Sequence, residues 1–342
     1  MAPWCDLRVV WFWLVGALLT GYAILDGFDL GVGALHLFSR DDQDRRLQLN
    51  AIGPVWDGNE VWLVTSGGAL FAAFPPVYAT VFSGFYLPFM LLLAALIFRA
   101  VAIEFRSKLP MRWWRQTWDV SFCAGSVLCS LLVGVTLGNL ARGIPLGADG
   151  EFAGTVLDLL NPYALLVGVL TTTLFMMHGA IYLVLKTEGA LHDRVRGWVQ
   201  RTIIAFILCY AVTTLATLLY VPAMAAPFTA HPGLFVIPVL LLLAIANIPR
   251  EIAHGRDLRA FLSSCAAIAA LLLLFGVGLF PTLVPSRPNP ELGLTVYNAC
   301  SSPTTLRIML GIALLGLPLV LAYTISIYWI FRGKVRLDRH SY

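Results

Sequence analysis

Nine apolar stretches, each near the ~20 residues a helix needs to cross a bilayer, follow one another along this chain with little between them. They run over about residues 8–38, 54–74, 77–104, 117–141, 161–186, 199–221, 233–250, 258–283 and 303–331. Few folds are open to such a sequence. In hydrocarbon, every backbone N–H and C=O must be satisfied within its own segment, so long apolar runs become helices packed on helices. Of 342 residues, 59% are hydrophobic and 12% are charged, where a soluble domain carries about 25% charged residues. The chain therefore reads as a single all-α polytopic membrane domain over 1–342, with Gly53-Pro54 and Pro75-Pro76 as helix punctuation. Asp6 precedes the first apolar run and no small-residue cleavage site follows it, so that run reads as an uncleaved first helix.

Loop charge sets the expected orientation. Alternate loops and the tail hold 18 basic residues, among them Arg40, Arg45, Arg46, Arg106, Arg112, Arg115, Arg194, Arg196, Arg336 and Arg339. The other side holds three: Arg8, Arg142 and Arg287. Basic loops stay in the cytoplasm, which predicts a periplasmic N-terminus, a cytoplasmic C-terminus and an odd number of spans. Basic residues spread over short loops form no basic face, which excludes nucleic acid as a partner.

Against this apolar background, four carboxylates stand out. Asp26 and Asp29 interrupt the first segment, and Asp57 and Glu60 open the second. Each costs roughly 2.5–3.5 kcal/mol in a bilayer core when ionised, so four unpaired carboxylates would cost about 10–14 kcal/mol. Residues three apart share a helix face, so each pair lines one stripe, and the two stripes can face each other. Arg99, Glu104 and Asp119 are the candidate charge partners, all toward the arginine-rich side. Carboxyls, a guanidinium and water arranged in this way form a proton path in outline. The bland alternative is a polar lock between helices, with Arg99 as its one deep cation.

The remaining chemistry is sparse. Six cysteines form no Cys-x-x-Cys pair, so no metal site is implied. Four lie in apolar segments as small hydrophobes, while Cys5 and Cys300 share the side where a disulfide is open to them. A low-spin haem needs two axial side chains facing across a bundle. Among the histidines only His178 sits well inside a segment, with His36 near the inner end of the first. A lone histidine beside Met176 and Met177 reads as packing, and no complete bis-ligated haem is expected in this chain alone.

The runs Gly21-Tyr22-Ala23-Ile24-Leu25-Asp26-Gly27-Phe28-Asp29-Leu30-Gly31 and Trp56-Asp57-Gly58-Asn59-Glu60-Val61-Trp62-Leu63, followed by Gly67-Gly68-Ala69-Leu70-Phe71 and Phe82-Ser83-Gly84-Phe85-Tyr86, resemble subunit II of the cytochrome bd-type quinol oxidases. Further matches fall at Gly138-Asn139-Leu140, Leu160-Asn161-Pro162 and Phe280-Pro281. The resemblance implies nine transmembrane helices in two four-helix bundles with a peripheral ninth. It implies a heterodimer with a subunit I that carries haems b and d and oxidises quinol while dioxygen is reduced to water. Small single-helix accessory subunits join some such complexes. This chain would carry no catalytic residue of its own and would feed protons from the cytoplasm through Asp26, Asp29 and Asp57, with Glu60 nearby. The resemblance leaves room for a bound quinone or lipid in subunit II, for which the sequence shows no residue signature. A proton-coupled secondary transporter and a purely structural membrane scaffold are the rival assignments.

Overall fold

The structure, a computed structural model, describes residues 6–337. Cys5 (and with it the Cys5–Cys300 pairing), Arg339 and His340 lie outside the described residues. The chain is helical nearly throughout. In order, the helices are α1 Leu7–Leu35, α2 Asp42–Ile52, α3 Trp56–Ala73, α4 Pro75–Gly84, α5 Tyr86–Phe105, α6 Arg112–Arg142, α7 Val156–Leu159 and α8 Pro162–Lys186. They continue as α9 Gly189–Tyr220, α10 Ala226–Ala230, α11 Val236–Ala253, α12 Asp257–Leu279 and α13 Pro303–Ile330. One small antiparallel hairpin, β1 Thr282–Val284 with β2 Leu294–Thr295, lies between α12 and α13.

Among the described residues, eight helices are long and apolar enough to cross a membrane. The helix α3 has span length, but Asp57, Asn59 and Glu60 in its first turns keep it out of that set. Local chemistry explains the helix ends. Asn161 caps α8 by accepting from Ala164 N at 3.0 Å, with Pro162 at the first helical position. Ser302 and Pro303 repeat that arrangement at α13.

Two stretches differ from the sequence reading. Residues 77–104, read as one span, form two helices broken at Phe85. Pro88 lies in the first turn of α5 and has no N–H to return to Gly84, so the helical ladder cannot run through. Residues 39–53, read as a loop, contain α2, whose Gln48, Leu49 and Ile52 are buried against the bundle.

The central helix is α8. Small residues of two neighbouring helices pack on it: Gly31 of α1 lies against Gly179, and Gly138 of α6 against Ala164. A Cβ on Gly179 would fall 2.5 Å from the Gly31 carbonyl carbon, so the two backbones touch. The close approach of α1 to α8 sets the Asp26–Asp29 face of α1 in the middle of the protein, where both aspartates are 0% exposed. The helix α13 is the opposite case, with none of its apolar window buried within the chain.

Candidate functional site

Two buried polar clusters lie along one stripe of α1. Tyr22, Asp26, Asp29, Gly33 and His36 recur at spacings of four and three, which places them on one helix face.

The first cluster sits mid-bundle. Arg99 of α5 is wholly buried, and its guanidinium spans two carboxylates from two other helices. One terminal nitrogen donates to Asp26 Oδ1 at 2.8 Å and the other to Glu60 Oε1 at 2.6 Å. Asp29 accepts from Asn59 Nδ2 at 2.7 Å, and Asn59 Oδ1 in turn accepts from the Tyr328 hydroxyl of α13 at 2.9 Å. The satisfaction is incomplete. Asp26 Oδ2, Asp29 Oδ1, Arg99 Nε and the Tyr22 hydroxyl are buried without a hydrogen-bond partner among the described residues. A polar pocket with several convergent unpaired groups is the kind of place that holds ordered water.

The second cluster lies two turns further along α1. Asp119 of α6, 1% exposed, accepts from Arg106 Nε at 2.5 Å and from Arg45 at 2.7 Å, and faces His36 Nε2 at 2.6 Å. His36 Nδ1 meets Gln48 Oε1 at 3.1 Å, and Gln48 donates to Ser39 Oγ at 2.8 Å. Asp42 bridges Arg106 and Arg115 at 2.8 and 3.1 Å. Between the clusters, the Ser126 hydroxyl fills the space beside Gly33 and has no partner among the described residues.

The structure brings Asp26, Glu60 and Arg99 together and sets Asp29 one turn along, held through Asn59. Asp57 is not with them. It is exposed on the surface of the chain, while Glu60 is 22% exposed and turned inward. Positions i and i+3 differ by about 60° around a helix, and the boundary of burial on α3 falls between these two. Asp119 belongs to the second cluster, and Glu104 is half-buried on the last turn of α5. Sequence reasoning missed Asn59 as the Asp29 partner, Tyr22, Tyr328 and the ion-pairing role of His36. The four-and-three spacing from Tyr22 to His36 was the available signal.

Haem ligation does not fit the two buried histidines. His178 is held at both ring nitrogens, by Ser264 Oγ at 2.7 Å and Ile24 O at 3.0 Å, and stacks on Phe261 with centroids 5.0 Å apart. His36 is likewise engaged at both nitrogens. Among the described residues, no group of three or more His, Cys, Asp or Glu is placed to hold a metal ion.

Apolar helices enclosing carboxylates and a guanidinium define a multi-pass inner-membrane protein with ionisable groups in its interior. The family model for cytochrome bd terminal oxidase subunit II matches residues 7–331, and the chain belongs to that family. It is 37% identical over 364 residues to the cytochrome bd-I ubiquinol oxidase subunit 2 of Escherichia coli (strain K12), covering 96% of this chain and 95% of that one. It is 36% identical over 334 residues to the cytochrome bd ubiquinol oxidase subunit 2 of Bacillus subtilis, covering 96% and 97%. The fold matches a chain in the structure of bd oxidase from Geobacillus thermodenitrificans with a TM-score of 0.79 at 18% identity, over 95% of this chain and 98% of that one.

Proposed function

We propose that this chain is the haem-free core subunit of a quinol:dioxygen oxidoreductase and that its mid-bundle cluster passes protons toward a partner subunit I. In this reading haems b and d and the quinol-oxidising site belong to the partner, and the complex builds a proton motive force by drawing the protons of water from the cytoplasm. The chain is one domain over 1–342 with nine spans: the eight long apolar helices plus α3. They form two four-helix bundles with α13 peripheral. The N-terminus is periplasmic, and the arginine-rich end faces the cytoplasm.

One observation carries the proton role. A single guanidinium, Arg99, faces three carboxyls on two helices, and two of those carboxyls keep an oxygen without a partner. One cation balances one carboxylate. The other two must carry protons or stand as uncompensated buried charges, which cost several kcal/mol each. Two protons shared among Asp26, Asp29 and Glu60 are therefore part of the folded state, and the unpaired oxygens give them somewhere to go. Asp57, exposed on the same helix as Glu60, is the exit from this chain toward the partner. Glu104, half-buried at the end of α5, stands at the cytoplasmic mouth, beside the Asp119 cluster that fastens the helix ends.

The scaffold assignment has an observation of its own: Arg99 ties α1, α3 and α5 together as an interhelical lock. The variants Asp29→Asn and Asp57→Asn separate the two roles. The proton role predicts a complex of normal haem content whose oxygen consumption per haem falls about tenfold or more, as when a positioned proton-transfer group is lost. Loss of haem and of assembly in both variants would leave only the lock.

A further inference from the structure

Four basic residues, Arg8, Arg142, Arg287 and Arg307, lie at the end away from the arginine-rich loops, and two of them meet in one cavity. Arg8 is accounted for by its ion pair with Asp6 at 2.7 Å. Arg142 ends α6 and Arg287 follows β1, and neither has an ion pair among the described residues. The backbone brings them together. Ile144 N donates to Pro285 O at 3.0 Å, and Arg287 N donates to Ile144 O at 2.9 Å, a short bridge that lays residues 142–146 beside 285–287. Gly143 makes the turn into that bridge at φ 87, a backbone conformation open to glycine. A Cβ there would sit 3.4 Å from Arg287 Cγ, so the Arg287 stem lies directly over the residue after Arg142.

Both arginines line a cavity of about 950 Å³ at the end of the bundle opposite the arginine-rich loops. Its walls are apolar, with Trp13, Met224 and Phe280 among them, and no Asp or Glu lines it. Ser286 lies between the arginines in the bridge, is 4% exposed, and holds its hydroxyl without a partner among the described residues. Asp158 feels the Arg142 charge, but its carboxylate is engaged by Thr155. Two guanidinium groups, a buried hydroxyl and an apolar hollow of this size form a complementary surface for an anion carrying hydrocarbon. A lone cation on this side of a membrane protein is unfavourable for topology, and a headgroup phosphate between two of them answers that charge.

We propose that this cavity binds an anionic membrane phospholipid, its phosphodiester between Arg142 and Arg287 with Ser286 donating to it, and an acyl chain along Trp13, Met224 and Phe280. The site lies away from the mid-bundle carboxylates and needs none of them. The side of the membrane follows the orientation given under Proposed function, whereas the binding chemistry does not depend on it.

The test uses the intact complex purified from its membranes. It is reconstituted in phosphatidylcholine vesicles holding a small fraction of photoactivatable phosphatidylglycerol, and the labelled peptides are read by mass spectrometry. The expected label falls on the segments around Met224 and Phe280. It drops about tenfold in Arg142→Gln/Arg287→Gln, the loss expected when charge-assisted hydrogen bonds go, with haem content unchanged. Ser286→Ala, which removes one hydroxyl, lowers the label by a smaller factor. Equal labelling by a photoactivatable phosphatidylcholine overturns the proposal, as does label that is unaffected by the arginine variants. Protection by millimolar inorganic phosphate assigns the site to a free anion and overturns the lipid, and protection by a short-chain quinone assigns it to quinone with the same result. Failure of the proton role would leave all these outcomes readable, since none depends on turnover.

Discussion

The two clusters along α1 use similar residues in opposite proportions. At mid-bundle, one guanidinium serves Asp26 and Glu60 with Asp29 close by, and oxygens are left over. Two turns away, one carboxylate, Asp119, is gripped by Arg106, Arg45 and His36 at once. In the proposed reading a site short of cations keeps exchangeable protons, whereas a site rich in them fixes the ends of α1, α5 and α6. Under the proposed proton role the first is arranged for transfer and the second for fastening, and their stoichiometry is the difference.

Removing Arg99 tests this contrast hardest. Arg99→Leu leaves Asp26 and Glu60 without their cation and is expected to destabilise by about 3–5 kcal/mol, the range for breaking a buried pair. The drop is read as lost complex in detergent or a lowered Tm. Arg106→Leu removes one of several partners of Asp119 and is expected to cost less, about 1–3 kcal/mol; equal losses would break the contrast. Asp119→Asn is expected to cost about 2–3 kcal/mol, since two arginines then face a neutral amide, while oxygen consumption per haem changes less than in Asp29→Asn. The reverse ranking of those two rates would make the outer cluster the transferring one. Tyr328→Phe removes one hydroxyl from Asn59 and is expected to cost about 1 kcal/mol by thermal melting.

The smallest effect lies outside both clusters. The Asp158 carboxylate accepts from the Thr155 N–H and hydroxyl at 2.7 and 2.9 Å, which holds its pKa below the ordinary 3.8. A depressed carboxyl stabilises the fold above its unfolded value and loses that contribution as pH falls through the folded one. Protection of the Thr155 amide, measured against Asp158→Asn, should therefore shrink as pH is lowered from 5 toward about 3, and a constant ratio would remove the capping box as its cause.

Much of the architecture was legible because membrane burial makes long apolar runs unambiguous. What escaped was decided by tertiary neighbours. Residues 42–52 are too polar and too short to stand out as a span, yet Gln48 bonds His36 and Leu49 and Ile52 fill the core, so α2 forms where mostly polar residues read as a loop. The break at Phe85 escaped because Pro88 sits inside a continuous apolar run. At the site, Asp26, Asp29, Glu60 and Arg99 could be named from composition alone, since charge inside hydrocarbon is conspicuous. The outward turn of Asp57 could not, because which face of α3 looks inward depends on where α1 and α5 lie. Tyr328 was invisible as a partner, since 269 residues separate it from Asn59.

That last contact has a mechanical side. The helix α13 rests on the outside of the chain with none of its apolar window buried within it, yet its Tyr328 reaches through one carboxamide to the carboxyl of Asp29. Helices of this length tilt to match the thickness of the membrane around them. A thinner or thicker bilayer that tips α13 would therefore pull on Asn59, tying a fully buried acid to the elasticity of its surroundings.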